Sequence, residues 1–237
     1  MRHPEQVPTT QRIGLHGISL SLRTWTTPTP DAPPVLLLPA TGCTCEDWEP
    51  VATRLARTRT VRALDLRGHG ESDWPGTYSL QLMAEDVTGV LDRLPDPVLD
   101  VVGHSLGGLI ACLAIAQRPG RVRRLVLEDV PLPHQRPAAA VQRPDGPLDF
   151  DWRVIEQVRP EIDDPAPNWP DIARRVLIPT LVLAGGATSS MPQDHVHELA
   201  ATLPHGLLET IEAGHFIHET QPVAFLTSVE EFLPAQS

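Results

Sequence analysis

Residues Val98 to Gln117 read VLDVVGHSLGGLIACLAIAQ. The first residues are apolar apart from Asp100 and have the length of a strand buried on both faces of a parallel sheet. The stretch from Leu106 to Gln117 is apolar nearly all round, which predicts a buried helix. Between them, Gly103-His104-Ser105-Leu106-Gly107 fits G-x-S-x-G. A strand that passes so quickly into a helix must turn sharply, and the small residues Gly103, Gly107 and Gly108 permit it. Such a turn lifts the Ser105 hydroxyl above the C-terminal edge of the sheet. It also leaves the Leu106 backbone N–H at a helix N-terminus, where it suits a developing oxyanion. In isolation the pentapeptide is no more than a Gly-Ser turn. Its flanks favour a turn that presents a nucleophile.

The same alternation runs outward in both directions. Ile13 to Trp25, with Leu and Ile alternating about Gly17, predicts a hairpin. Further short apolar runs predict strands at Val35–Leu38, Val61–Asp65, Leu125–Leu127, Thr180–Ala184 and Leu207–Ile211. Helical periodicity marks Trp48–Arg57, Leu80–Leu94 (with Ser79 as N-cap), Gln193–Leu203 and Val223–Phe232. Strands alternating with helices predict an α/β fold with a mostly parallel central sheet flanked by helices. One region breaks the pattern. Residues 131–177 are rich in proline and charge, with helical stretches only at Trp152–Val158 and near Ile172–Val176. They read as a small cap inserted into a core made of residues 1–130 and 178–237.

Composition narrows the function. The 237 residues hold 26 prolines, 30 acidic residues and 19 basic ones, all arginine, for a net charge of −11. That charge argues against nucleic acid and anionic membranes as partners and mildly favours uncharged small-molecule substrates. No apolar run reaches the roughly 18 residues of a membrane span, and Met1–Gln11 is polar, without an apolar signal core. Three cysteines fit a reducing compartment, so a cytoplasmic location is expected. The absence of lysine rules out Ser–Lys and Schiff-base chemistry and leaves histidine as the base for Ser105.

With these motifs the sequence resembles the α/β-hydrolase superfamily from about residue 13 to 233. Beside G-H-S-L-G, Asp65-Leu66-Arg67-Gly68-His69-Gly70-Glu71-Ser72 resembles the D-x-R-G-x-G-x-S loop after the fourth strand. Gly214-His215 resembles the histidine turn after the last strand, and Pro39–Trp48 resembles the oxyanion loop. The resemblance implies a catalytic triad in the order serine, acid, histidine. The base is then His215, with His218 as the alternative. His104 points away from the serine in the elbow, and His69 is expected to bond backbone.

The chain departs from the commoner pattern at the acid. After the seventh strand, where many members carry an aspartate, Gly185-Gly186-Ala187-Thr188-Ser189-Ser190 offers no carboxylate, and Asp194 reads as a helix N-terminal residue. A minority of the superfamily places the acid after the sixth strand. There Asp129, 24 residues beyond Ser105, stands beside Glu128. The resemblance assigns Asp129, with Glu128 as runner-up. It likewise assigns Thr41 and Leu106 as backbone oxyanion donors, although Pro39-Ala40 replaces the usual His-Gly. The 131–177 insertion resembles the helical cap between strands six and seven. Phe150 and Trp152 are candidates for the substrate pocket, and Trp169 is expected to pack the cap on the core.

The implied activity is a serine hydrolase (carboxylesterase-like) cleaving a small or medium ester, thioester or lactone, with no cofactor and no metal. Cys43-x-Cys45 lacks two further ligands, and His195-x-His197 reads as a solvated helix face. A non-hydrolytic enzyme of the same fold (a cyclase, lyase or carbon–carbon bond hydrolase) and an inactive ligand-binding member are the alternatives.

Overall fold

The computed structural model describes residues 7–138 and 141–234. Part of the polar segment Met1–Gln11, two positions of the 131–177 insertion and the last three residues of 178–237 lie outside the described residues. The elements in chain order are β1 (Thr9–Leu15), β2 (Ile18–Trp25), β3 (Val35–Leu38), α1 (Glu49–Leu55), β4 (Val61–Leu64), α2 (Leu80–Arg93), β5 (Leu99–His104), α3 (Leu106–Gln117) and β6 (Val122–Glu128). They continue with α4 (Arg153–Asp163), α5 (Trp169–Arg174), β7 (Thr180–Ala184), α6 (Gln193–Thr202), β8 (Gly206–Thr210), α7 (Ile217–Thr220) and α8 (Pro222–Phe232).

The eight strands form one sheet in the order β1-β2-β4-β3-β5-β6-β7-β8. The β1–β2 and β2–β4 pairs are antiparallel and all the others are parallel. Both faces are covered, which is why the central strands are continuously apolar. Leu36, Leu38, Leu125 and Leu127 point into the core beneath α2 and α3. Their neighbours Val35, Leu37 and Val126 point into a second core with Trp48, Phe225 and Val229. The chain leaves β3 towards β4 on one side, and β5 lies on the other. The loops after β3 and β5 therefore meet over a topological switch point, the usual place for a ligand crevice in an open α/β sheet.

The periodic segments fold as their sequence predicts, within a few residues at the ends. Ser79 caps α2, its Oγ accepting from Leu82 N–H at 3.1 Å. The strand after β7 is an exposed edge, with Leu207 and Leu208 half in solvent, so its apolar residues do not mark a core position. The four-residue helix α7 carries no periodic signal of its own.

Residues 131–177 run between β6 and β7 and contain α4 and α5. Val154 and Val158 of α4 face the core. Gln157 and Glu161 accept hydrogen bonds from Tyr78 N–H (2.8 Å) and Leu80 N–H (2.9 Å), the latter a donor left open at the start of α2. Trp169 is buried with Ile172 and packs the insertion on the core. Among the described residues no helix is long and apolar enough to cross a membrane, and all three cysteines are unpaired.

Candidate active site

Ser105 stands between β5 and α3 with φ 49° and ψ −114°, a backbone conformation that costs a non-glycine residue about 1–3 kcal/mol. Packing holds it there. A Cβ on Gly103 would lie 2.7 Å from Gly108 Cα, and one on Gly107 would lie 2.4 Å from the Leu38 carbonyl oxygen. Only glycine allows helix α3 to start this close to the end of β3. That closeness brings the Leu106 N–H and the loop after β3 together, and Thr41, Ser105 and Leu106 line one cavity. Ser105 N–H also donates to the Glu128 carbonyl at 3.1 Å, tying the elbow to the end of β6.

The Asp65–Ser72 loop braces the loop after β3. His69 Nε2 accepts from Gly42 N–H (3.1 Å) and Asp65 Oδ1 accepts from Cys45 N–H (2.7 Å). His69 Nδ1 lies 3.1 Å from the Arg67 carbonyl, which fixes the tautomer that leaves Nε2 as acceptor. Burial lowers the His69 pKa to about 4, so the acceptor persists at neutral pH. Arg67 is itself held by both oxygens of buried Asp86.

Asp129 follows β6 with φ 49°. Its Oδ2 lies 2.8 Å from His215 Nδ1. Its Oδ1 accepts from Gly185 N–H and from Gln193 Nε2, each at 2.9 Å, and Ser189 Oγ donates to Oδ2. Burial alone would raise its pKa. The bonds from His215, Ser189, Gln193 and Gly185 outweigh burial and hold the carboxyl below the ordinary range. The loop after β7, which lacks a carboxylate, thus supplies donors to the one after β6. Ser189 and Gln193 were not singled out in the sequence. Their only trace is the small polar run that stands where an acid is missing.

The His215 turn is fixed to the end of β7, where Ala213 and Gly214 N–H donate to the Gly185 carbonyl at 3.0 and 2.8 Å. With Nδ1–H committed to Asp129, His215 Nε2 carries the free lone pair a general base needs. Among the described residues the Ser105 side chain makes no hydrogen bond to His215. Such bonds are often long in unliganded sites and tighten with substrate. His104, next to Ser105, turns its Nε2 to the His215 carbonyl at 2.9 Å. Burial lowers its pKa to about 4, so it remains neutral.

Glu128 and His218 form a second pair on the opposite sheet face. His218 Nδ1 lies 2.8 and 2.9 Å from the two carboxylate oxygens, and His218 N–H donates to Oε1 at 2.8 Å. Trp48 stacks on the ring at 4.4 Å. Burial would lower the His218 pKa, but the bond and charge of Glu128 raise it above the ordinary 6.5. Burial would raise Glu128, and the imidazoles of His104 and His218 outweigh it to bring Glu128 below the ordinary 4.5. His104, Glu128 and His218 bring ligand-type atoms within 4.8 Å of one another, but each is already bonded within the protein.

This pair contributes most between about pH 4.5 and 6.5. Above that window His218 loses its proton through its raised folded-state value. Below it Glu128 is protonated through its lowered one. Glu128→Gln should cost about 3 kcal/mol at pH 6, and less at pH 9, because His218 can shed its proton rather than stay a stranded charge. Thermal denaturation at the two pH values checks this. An equal loss at both would contradict a charged pair.

The cavity at Ser105 measures about 130 Å³. Leu106, Leu109, Val154, Val158 and Ile162 give it apolar walls. Phe150 and Trp152 are not among its lining residues. Phe150 stacks on His69 at 5.6 Å and covers Gly42, and Trp152 borders a separate surface hollow beside Glu156 and Pro160. The segment 149–151 pairs with the Gly68–Gly70 backbone, which draws Phe150 against Gly42 of the loop after β3. A larger open depression of about 540 Å³ near Trp74 contains neither Ser105 nor His215.

The remaining candidates take no part in this geometry. Burial and nearby carboxylates push the Cys43 and Cys45 thiols up to about 12, which makes them poor nucleophiles and ligands. His197 is exposed, while His195 is half-buried against His134, with ring centroids 4.2 Å apart. Asp194 is an exposed first-turn residue of α6.

A model of the alpha/beta hydrolase fold matches residues 33–162. An sn-1-specific diacylglycerol lipase of Mus musculus is 26% identical over 220 residues, covering 74% of this chain and 72% of that protein. An esterase of Mycobacterium tuberculosis is 42% identical over 101 residues, covering 42% of this chain and 33% of that protein. The crystal structure of E-2-(acetamidomethylene)succinate hydrolase superimposes with a TM-score of 0.79 at 22% identity, covering 95% of this chain and 99% of that one.

Proposed function

Since the chain belongs to the α/β-hydrolase fold family, we propose that this hydrolase is a serine enzyme that cleaves a small carboxylic ester, thioester or lactone through an acyl-enzyme. The observation that carries the reading is the 2.8 Å bond between His215 Nδ1 and Asp129 Oδ2, with the His215 carbonyl bonded to His104, the neighbour of the strained Ser105.

In this reading Ser105 Oγ attacks the substrate carbonyl carbon as its proton passes to His215 Nε2. The backbone N–H groups of Thr41 and Leu106 accommodate the oxyanion of the tetrahedral intermediate. Collapse breaks the bond to the alkoxide or thiolate, which leaves with the proton from His215. A water then attacks the acyl-enzyme, gives its proton to His215, and the carboxylic acid departs as Ser105 Oγ recovers a proton. Asp129 holds the imidazole in the Nδ1–H tautomer and stabilises the imidazolium in both halves. The cycle calls for no cofactor. A cavity of about 130 Å³ suits a short acyl chain, since sites for drug-sized ligands run from about 300 Å³ upward.

Labelling tests the reading directly. A fluorophosphonate probe should attach to the wild-type protein at the peptide containing Ser105, and Ser105→Ala should stay unlabelled. A wild-type protein that is not labelled would overturn the assignment.

A further inference from the structure

The chain carries a net charge of −11, yet among the described residues the only charged side chains lining the Ser105 cavity are two arginines, Arg136 and Arg159. Both turn their Nε to a single carboxylate. Arg136 Nε bonds Asp163 Oδ1 at 2.5 Å, and Arg159 Nε lies 2.8 and 2.9 Å from Oδ1 and Oδ2. Arg136 N–H also donates to the Asp163 carbonyl at 2.8 Å. The Asp163 side chain is only 5% exposed, while each arginine side chain is 36% exposed. Burial would raise the Asp163 pKa, but the two guanidinium groups outweigh it and hold the carboxyl below its ordinary range.

Two permanent positive charges thus face one negative charge, leaving an excess of one positive charge at the wall of a mainly apolar cavity. The terminal Nη groups of both arginines make no hydrogen bond to a described residue. A fork held rigid at Nε with its Nη atoms open is ready for a second carboxylate, and a short-range pair of this kind outweighs the screened charge of the distant surface. Leu109, Val158 and Ile162 line the same cavity as Ser105 and the two arginines. A ligand that fits has an ester carbonyl at one end, a few methylenes between, and an anion at the other.

We propose that the preferred substrates are esters of short dicarboxylic acids, in which Arg136 and Arg159 receive the free carboxylate of the acyl group while Ser105 attacks the esterified one. This deepens the serine-hydrolase reading and rests on it. It also reverses the expectation of uncharged substrates drawn from net charge.

The test compares monomethyl glutarate with methyl pentanoate, which replaces the carboxylate by a methyl group at the same chain length. Hydrolysis is followed by acid release in a pH-stat. The wild-type protein should favour the glutarate ester by at least about tenfold in kcat/KM, and the preference should weaken at high salt. Arg136→Gln and Arg159→Gln should each remove most of that preference while changing methyl pentanoate turnover by less than about threefold, which also reports that the variant is folded. A wild-type preference for the neutral ester, or variants that lower both substrates alike, would overturn the proposal. Binding of the same two esters to Ser105→Ala, measured calorimetrically, repeats the comparison without turnover. Equal binding there sinks the proposal by itself, whereas failure of fluorophosphonate labelling sinks the hydrolase reading and leaves the binding preference to stand or fall separately.

Discussion

Ser105→Ala should lower kcat by about 10⁴-fold or more on a good ester substrate, with KM changed little. The alanine removes the attacking oxygen but leaves the elbow, the Thr41 and Leu106 N–H groups and the cavity in place. The residual rate should therefore exceed that of the uncatalysed reaction, because water can still react beside the proposed oxyanion donors. Stability should change by less than about 0.5 kcal/mol, since among the described residues the hydroxyl has no hydrogen-bond partner and alanine carries the same Cβ strain at φ 49°. A kcat within tenfold of wild type would show that bond cleavage does not pass through Ser105.

Asp129→Asn should be the next largest loss, about 10³- to 10⁴-fold in kcat, again with a small effect on KM. The carboxylate accepts from His215 Nδ1, Gly185 N–H, Ser189 Oγ and Gln193 Nε2. An asparagine keeps only one oxygen for these donors. If its NH₂ faces His215, Nδ1 must become the acceptor and the proton moves to Nε2, where a base is needed. If its oxygen faces His215, the NH₂ meets Gly185 or Gln193 as donor against donor. Either way the tautomer or the turn is compromised. Asp194→Asn serves as the control, because Asp194 is exposed on α6, and should stay within about twofold of wild type. If Asp194→Asn proved the more damaging, the acid would not be Asp129.

These expectations rest on unequal amounts of sequence information. The elbow was legible because its determinants are contiguous. A strand, a turn and a helix within twenty residues leave their apolar runs and glycines side by side, and the structure adds only the reason each glycine is needed. The sheet was legible for the same cause: strands buried on both faces read as unbroken apolar runs. The exposed β8 and the four-residue α7 left little trace, since neither buries a periodic face.

The choice of Asp129 over Glu128 rested on the resemblance and its spacing from Ser105, not on any local pattern. Two adjacent carboxylates at a strand end are chemically alike in a sequence. Strand alternation sends Glu128 to the face of Val126, Trp48 and Phe225, where His218 meets it. Asp129 lies one residue beyond the last strand residue, and its positive φ turns it to the other side, where His215, Ser189 and Gln193 converge. The pocket was hidden for a related reason. Phe150 and Trp152 are the bulky residues of the insertion, but their backbone neighbours are claimed by the Gly68–Gly70 loop, and the cavity wall falls to α4 and Arg136 instead.

By itself the sequence determined the fold and the position of Ser105, because local patterns of burial and turn geometry are written in neighbouring residues. Net charge could not do the same for the pocket. Which carboxylate serves His215, and which charges line the Ser105 cavity, depend on groups that lie 86, 60 and 27 residues apart and meet only when the loops of β6, β7 and the insertion come together over the sheet.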